Sequence, residues 1–136
     1  MTQGASGFQT TDSTTPQAPI LVIEDDMDIR ETCRQVLECE GYSVVTAANG
    51  AQGIEILRTP VYPALILLDL MMPVMNGWEF LKARSGDPVL QAIPVVVVTA
   101  AGLAAGEQPA SVQGFLRKPL ELEDLLEAVK SAARLR

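Results

Sequence analysis

Residues 64–69 read Ala-Leu-Ile-Leu-Leu-Asp, and the chain runs on as Leu-Met-Met-Pro-Val-Met-Asn-Gly-Trp-Glu-Phe to residue 80. An unbroken apolar run has no polar face to turn to water, so Ala64–Leu68 predicts a strand buried on both sides. Asp69 stands directly at its end. Asn76 is of the type that caps a helix, and a third helix is expected from there through Arg84. The stretch therefore reads as buried strand, loop and helix, with a carboxylate where the strand stops.

The same alternation extends in both directions. Ile20–Ile23 is a short apolar run, expected as the first strand. Asp28–Glu40 sets Ile29, Cys33, Val36 and Leu37 at helical spacing, and Gly41 ends it. Tyr42–Thr46 reads as a strand. Asn49 can cap a helix over Ala51–Arg58, with Ile54 and Leu57 inward and Pro60 closing it. Pro94–Val98 is a further apolar, β-branched run, and Phe115–Arg117 a short last strand. Leu120–Arg134 predicts an amphipathic helix with Leu122, Leu125, Leu126 and Val129 on one face, its acids early and its bases late. Five doubly apolar strands separated by helices predict an α/β protein with a parallel sheet covered on both faces.

Two segments break the pattern. Residues 1–18 are rich in Thr, Ser, Gly and Gln and have little to bury, so a disordered tail is expected, with one folded domain over 19–136. Ala100–Gln113 reads AAGLAAGEQPASVQ, and no ordinary amphipathic helix can be drawn through its glycines and proline. The fourth helix is expected to be short or degenerate.

Composition narrows the function classes. The chain has 136 residues, 17 acids against 10 bases and a formal net charge of −7, which argues against direct nucleic-acid binding. It has no histidine, so histidine bases, ligands and phosphohistidine are excluded on this chain. Cys33 and Cys39 lie six apart on one predicted helix, on different faces, and cannot form a disulfide; both are expected as small core or surface residues. No secretory signal precedes Ile20, and the longest apolar stretch, 93–105, is interrupted and shorter than a membrane span. A cytoplasmic protein is expected. No G-x-G-x-x-G or G-x-x-x-x-G-K-[ST] pattern marks a nucleotide site. A haloacid-dehalogenase-like phosphatase would place a second acid two residues after its aspartate, where Met71 stands.

Chemistry is expected where the strands end, because open parallel sheets carry their sites outside the carboxyl ends of strands. Glu24, Asp25 and Asp26 follow the first strand, Asp69 the third, Thr99 the fourth and Lys118 the fifth. If strands one and three are neighbours, Asp69 faces Glu24 and Asp25. Such carboxylates repel, and a hard divalent cation, Mg²⁺ in particular, resolves the conflict. Carboxylates, metal, hydroxyl and ammonium together describe a phosphoryl site with an aspartate as nucleophile. Asp26 or Asp28 is expected to cap the first helix.

These residues resemble a known family. ILVIEDDMDIRE (20–31), LILLDLMMPVMNGWEF (65–80), VVVVTA (95–100) and FLRKP (115–119) are similar to the receiver domain of bacterial two-component response regulators, over roughly Pro19 to Arg136. The D-x-x-M-P-x-x-x-G run of Asp69, Met72, Pro73 and Gly77 is the most specific part. The resemblance implies a flavodoxin-like, doubly wound five-stranded sheet in the order 2-1-3-4-5. It implies Asp69 as phosphoacceptor, and Mg²⁺ held by Glu24, Asp25, Asp69 and the Met71 backbone carbonyl. Asp25 would be a direct ligand and Glu24 one through water. Thr99 and Lys118 would bind phosphoryl oxygens, with Ala100 small enough to leave room. Thr99 and Phe115 would form the switch, and Lys118–Pro119 would be a cis peptide. Met71 and Ala101 fall where the family tunes phosphoryl lifetime.

The resemblance also implies partners. A histidine kinase or histidine phosphotransfer protein would supply the phosphoryl group, which suits a chain without histidine. The chain stops at the last helix, so output is expected through a downstream protein rather than an attached domain, with no enzyme activity beyond slow self-phosphorylation from small donors and self-dephosphorylation. A phosphorylation-independent interaction module on the same fold is the alternative. Thr99 and Lys118 are 19 positions apart, a few fewer than is usual, so the usual phospho-dimer is expected to be weakened, leaving a monomer or weak dimer. Met71, Met72 and Met75 are expected to line the loop after Asp69, and Trp78 to sit partly in the core.

Overall fold

A computed structural model describes residues 18–100 and 112–134. In chain order it contains β1 (Ile20–Ile23), α1 (Met27–Cys39), β2 (Val44–Ala47), α2 (Gly50–Leu57), β3 (Leu65–Asp69), α3 (Gly77–Ser85), the single-turn α4 (Pro88–Gln91), β4 (Val95–Thr99), β5 (Gly114–Arg117) and α5 (Leu122–Arg134). Residues 1–17 of the tail expected over 1–18, and residues 101–111 of the helix-poor stretch expected over 100–113, lie outside the described residues.

The five strands form one parallel sheet in the order β2-β1-β3-β4-β5. This is the doubly wound order implied by the resemblance. Its burial pattern explains the apolar runs. Leu21, Ile23, Ile66, Leu68, Val95 and Val97 point to one face, where they pack with Leu57 of α2 and with Phe80 and Leu81 of α3. Ile20, Val22, Leu65, Leu67 and Val96 point to the other, against Cys33 and Leu37 of α1 and Leu125, Val129 and Ala132 of α5. A strand covered on both sides has no position for a polar side chain, and each large side chain buried contributes about 1.5–3 kcal/mol.

Local chemistry sets the element ends. Asp26 caps α1 by accepting from the Ile29 N–H, and Asn49 caps α2 by accepting from the Gln52 N–H. Asn76 and Glu79 form a reciprocal capping box at α3. Tyr42, expected to open the second strand, instead completes the end of α1. Gly41 takes φ 95°, and the Gly41 and Tyr42 N–H groups donate to the Glu38 and Leu37 carbonyls. This pattern is a Schellman cap, so pairing starts later, at Val44. The sequence reading missed α4, a turn capped by Asp87 with proline at its start.

Candidate functional site

Parallel winding brings the ends of β1, β3, β4 and β5 to one edge of the sheet. Glu24 directly follows β1, Asp69 and Thr99 are the last residues of β3 and β4, and Lys118 directly follows β5. Order β1-β3 makes Ile23 and Leu68 register partners, so the next residues, Glu24 and Asp69, end adjacent strands.

Three carboxylates converge there. Glu24, Asp25 and Asp69 each offer an oxygen, all within 4.8 Å of one another. Glu24 and Asp69 are buried and Asp25 is exposed, so the cluster has a dry floor and an open side. Lys118 reaches in from β5. Its Nζ lies 2.9 Å from Glu24 Oε1 and 3.2 Å from Asp69 Oδ2. One ammonium against three carboxylates leaves a deficit of positive charge, and hard oxygen donors that converge with one open side suit Mg²⁺. The Thr99 hydroxyl is buried with no hydrogen-bond partner. A buried orphan donor beside a carboxylate cluster fits a ligand oxygen.

The electrostatics follow from this crowding. Burial pushes the Glu24 carboxyl up to about 7, with the nearby Asp69 charge adding to the rise, while Lys118 and the Asp26 N–H pull it down. For Lys118, burial disfavours the ammonium. Its hydrogen bonds and charge attraction to Glu24 and Asp69 outweigh that, and its pKa is raised. Cys33 lies near the floor of the cluster. Burial, reinforced by Glu24, pushes its thiol up to about 11, so it stays protonated and unreactive. Cys39 is exposed.

Backbone contacts hold the loops in place. Arg30, which the sequence reading had not singled out, donates from one guanidinium nitrogen to the Glu24 carbonyl at 2.8 Å and the Asp25 carbonyl at 3.4 Å. The Met71 N–H donates to Asp69 Oδ1 at 3.1 Å. The loop from Leu70 to Asn76 is closed by the Gly77 N–H donating to the Leu70 carbonyl and pinned by the Gly50 N–H donating to the Met75 carbonyl. A Cβ at Gly77 would lie 2.7 Å from the Asp69 carbonyl oxygen, so only glycine allows α3 to start this close to the end of β3. The sequence shows this glycine, but its reason is tertiary.

The other described residues singled out in the sequence lie at this rim or below it. The Lys118–Pro119 peptide is cis. The Lys118 N–H donates to the Thr99 carbonyl at 3.0 Å, tying the ends of β4 and β5 together. Ala100 is exposed beside Thr99. Phe115 lies on the edge strand β5 with 37% of its surface exposed, and Trp78, expected partly in the core, is equally exposed. Of the three methionines, Met72 is buried in the core while Met71 is open to solvent. Ala101 lies outside the described residues. Beside Lys118, an apolar groove of about 280 Å³ runs between α1 and the start of α5, lined by Ile29, Cys33, Val36, Leu120 and Leu125. Among the described residues, no helix is long and apolar enough to cross a membrane.

A fully buried cation escaped the sequence reading. Arg84 is 1% exposed, and one of its terminal nitrogens donates to the Gln91 and Ile93 carbonyls at 2.9 Å each. The available signal was its position on α3, three and four residues after the core residues Leu81 and Phe80.

Comparison with known proteins agrees with this geometry. Residues 20–130 match the response regulator receiver domain family. The polar-differentiation response regulator DivK of Brucella anthropi is 28% identical over 115 residues, covering 82% of this chain and 93% of DivK. The phosphate regulon transcriptional regulatory protein PhoB of Klebsiella pneumoniae is 34% identical, covering 85% of this chain, which spans only 51% of PhoB. Among solved structures, a CheY-like response regulator receiver domain protein from Methanospirillum hungatei superposes with a TM-score of 0.76 at 30% identity, covering 86% of this chain and 94% of that one. The chemotaxis response regulator CheY4 of Vibrio cholerae gives 0.76 at 29% identity, with 85% and 98% covered.

Proposed function

Because this chain belongs to the family of response regulator receiver domains, which serve two-component signalling rather than classical enzyme catalysis, we propose that it accepts a phosphoryl group on Asp69. The observation that carries this reading is the convergence of Asp69 with Glu24, Asp25 and Lys118, under a buried Thr99 hydroxyl that has no partner. The donor is a histidine kinase or histidine phosphotransfer protein. An Asp69 carboxylate oxygen forms the new O–P bond. The N–P bond of the donor phosphohistidine breaks, and its electron pair stays on the imidazole nitrogen, which takes up a proton.

Positioning and charge neutralisation are most of what such a transfer needs. Glu24, Asp25, Asp69 and the Met71 backbone carbonyl would hold Mg²⁺, which would supply positive charge for the phosphoryl oxygens. Lys118 binds one phosphoryl oxygen and Thr99 donates its hydroxyl to another, while Ala100 leaves the space open. Thr99 turning toward the phosphoryl group and Phe115 turning inward on the edge strand form the switch, and a downstream protein reads the altered surface.

Incubation with acetyl phosphate and Mg²⁺ tests this. The intact mass is expected to rise by one phosphoryl group, and the rise is expected to vanish in Asp69→Asn and when EDTA removes the metal. No gain from acetyl phosphate or from any autophosphorylated kinase would favour a phosphorylation-independent interaction module.

A further inference from the structure

The three carboxylates of the cluster are not held alike. Both Glu24 oxygens meet Lys118 Nζ, at 2.9 and 3.2 Å, and one of them also accepts the Asp26 N–H at 3.1 Å. Asp69 accepts the Met71 N–H on one oxygen and Lys118 on the other. Asp25 is exposed, and the contact that fixes it is to its backbone carbonyl, from Arg30. The direction in which the Asp25 carboxylate stands therefore depends on how the loop between β1 and α1 is set.

One residue sets that loop. The Arg30 N–H donates to the Asp26 carbonyl at 2.9 Å. Its Nη1 donates to the Glu24 carbonyl at 2.8 Å and reaches the Asp25 carbonyl at 3.4 Å. The carbonyls of 24, 25 and 26 thus all turn to Arg30. On the sheet side, the Glu24 N–H donates to the carbonyl of Ala47, where β2 ends. The guanidinium supplies the donor that a longer β2 would have given to the Glu24 carbonyl.

Charge alone does not explain an arginine at this point. A guanidinium beside carboxylates that gather a divalent cation repels that cation. What Arg30 contributes is geometry. Mg²⁺ demands near-ideal octahedral oxygens at about 2.0–2.1 Å, whereas Ca²⁺ accepts roughly six to eight in a flexible arrangement.

We propose that Arg30 is a positioning residue for the metal site, setting the Glu24–Asp25 backbone so that the Asp25 carboxylate meets Mg²⁺ in preference to a larger divalent cation such as Ca²⁺. This rests on the reading of Glu24, Asp25 and Asp69 as a Mg²⁺ site that serves phosphoryl transfer to Asp69. Partners of this kind, which touch a ligand without touching the metal, typically change metal affinity by about 10–100-fold when removed.

The test is titration of the isotope-labelled full chain with Mg²⁺ and with Ca²⁺, followed through the backbone amide NMR shifts of Asp25 and Met71. The same spectra show whether each variant is folded. Arg30→Met keeps the bulk and removes the donor. Its Mg²⁺ Kd is expected to rise about tenfold and its Ca²⁺ Kd about twofold, so the ratio of Ca²⁺ Kd to Mg²⁺ Kd falls about fivefold. Loss of charge alone would tighten both ions together and leave that ratio unchanged. Arg30→Lys keeps the charge, but its ammonium ends one bond short of the guanidinium nitrogen. Its ratio is expected to fall about twofold, and it carries the test if Arg30→Met does not fold. Arg34→Met, one turn further along α1, removes an arginine paired with Glu31 and Glu38 and is expected to leave the ratio as in wild type. An unchanged ratio in the Arg30 variants overturns the proposal, as does an equal fall in Arg34→Met, and both results leave the metal reading intact. Wild-type protein that binds no Mg²⁺, or that binds it undiminished in Asp69→Asn, defeats that reading and the proposal with it.

Discussion

Two cations are drawn into this fold, at opposite edges of one sheet, and they are treated differently. At the carboxyl edge, Lys118 sits between Glu24 and Asp69, and its ammonium meets carboxylates within 3.2 Å on either side. Toward the amino edge, near the entry to β4, Arg84 is buried more completely, yet it meets only the neutral carbonyls of Gln91 and Ile93. Two of its nitrogens have no partner at all, and burial lowers its pKa. A buried charge without a counter-charge is expensive. What Arg84 does instead is close the connection from α3 through α4 into β4, satisfying carbonyls that the end of α4 would leave bare. The carboxyl edge concentrates charges that oppose one another and so can exchange partners; the amino edge spends a charge on holding the chain.

The sharpest break of that contrast is Lys118→Ala. It removes the ammonium paired with Glu24 and Asp69, and the rate of phosphorylation from acetyl phosphate is expected to fall about 10²-fold or more, measured by intact mass over time. Arg84→Met is expected to do the reverse. Stability to urea should drop by about 1–3 kcal/mol as the Gln91 and Ile93 carbonyls lose their donor, and the phosphorylation rate should stay within about twofold of wild type. A tenfold loss of rate in Arg84→Met would erase the distinction between the edges.

The smallest effect is in pH. With EDTA present, Glu24 has a folded pKa of about 7, above its ordinary 4.5. The folded state then binds more protons than the unfolded state between those values. Its contribution to stability is present below about pH 4.5 and is lost as pH rises through about 7. Urea titrations across this window are expected to show stability falling with pH, and Glu24→Gln is expected to flatten that slope. A slope unchanged in Glu24→Gln would mean that another group carries it.

Much of this was legible in the chain. Ile20–Ile23, Ala64–Leu68 and Pro94–Val98 announced central strands because a strand covered on both faces must be apolar throughout. Asp26, Asn49 and Asn76 announced helix starts because an N-cap is a local contact of a few residues. The site was legible for a related reason: each of its residues sits at the end of a strand that could be recognised, so their order along the chain became an arrangement in space. Tyr42 was misread because its apolar ring suits a strand as well as a Schellman cap, and the choice depended on how Gly41 ended α1. Arg84 was missed because a lone arginine on a helix is ordinarily solvated.

The sequence by itself determined the fold class, the order of elements and the identity of the groups at the strand ends, since these follow from local periodicity and from what can be buried. Only the tertiary structure decided which charges meet. Glu24 and Lys118 are 94 positions apart and make contact only because β1, β3, β4 and β5 end along one edge. The burial that raises Glu24 and the orphaned Thr99 hydroxyl likewise arise from packing between distant segments, and no local pattern encodes them.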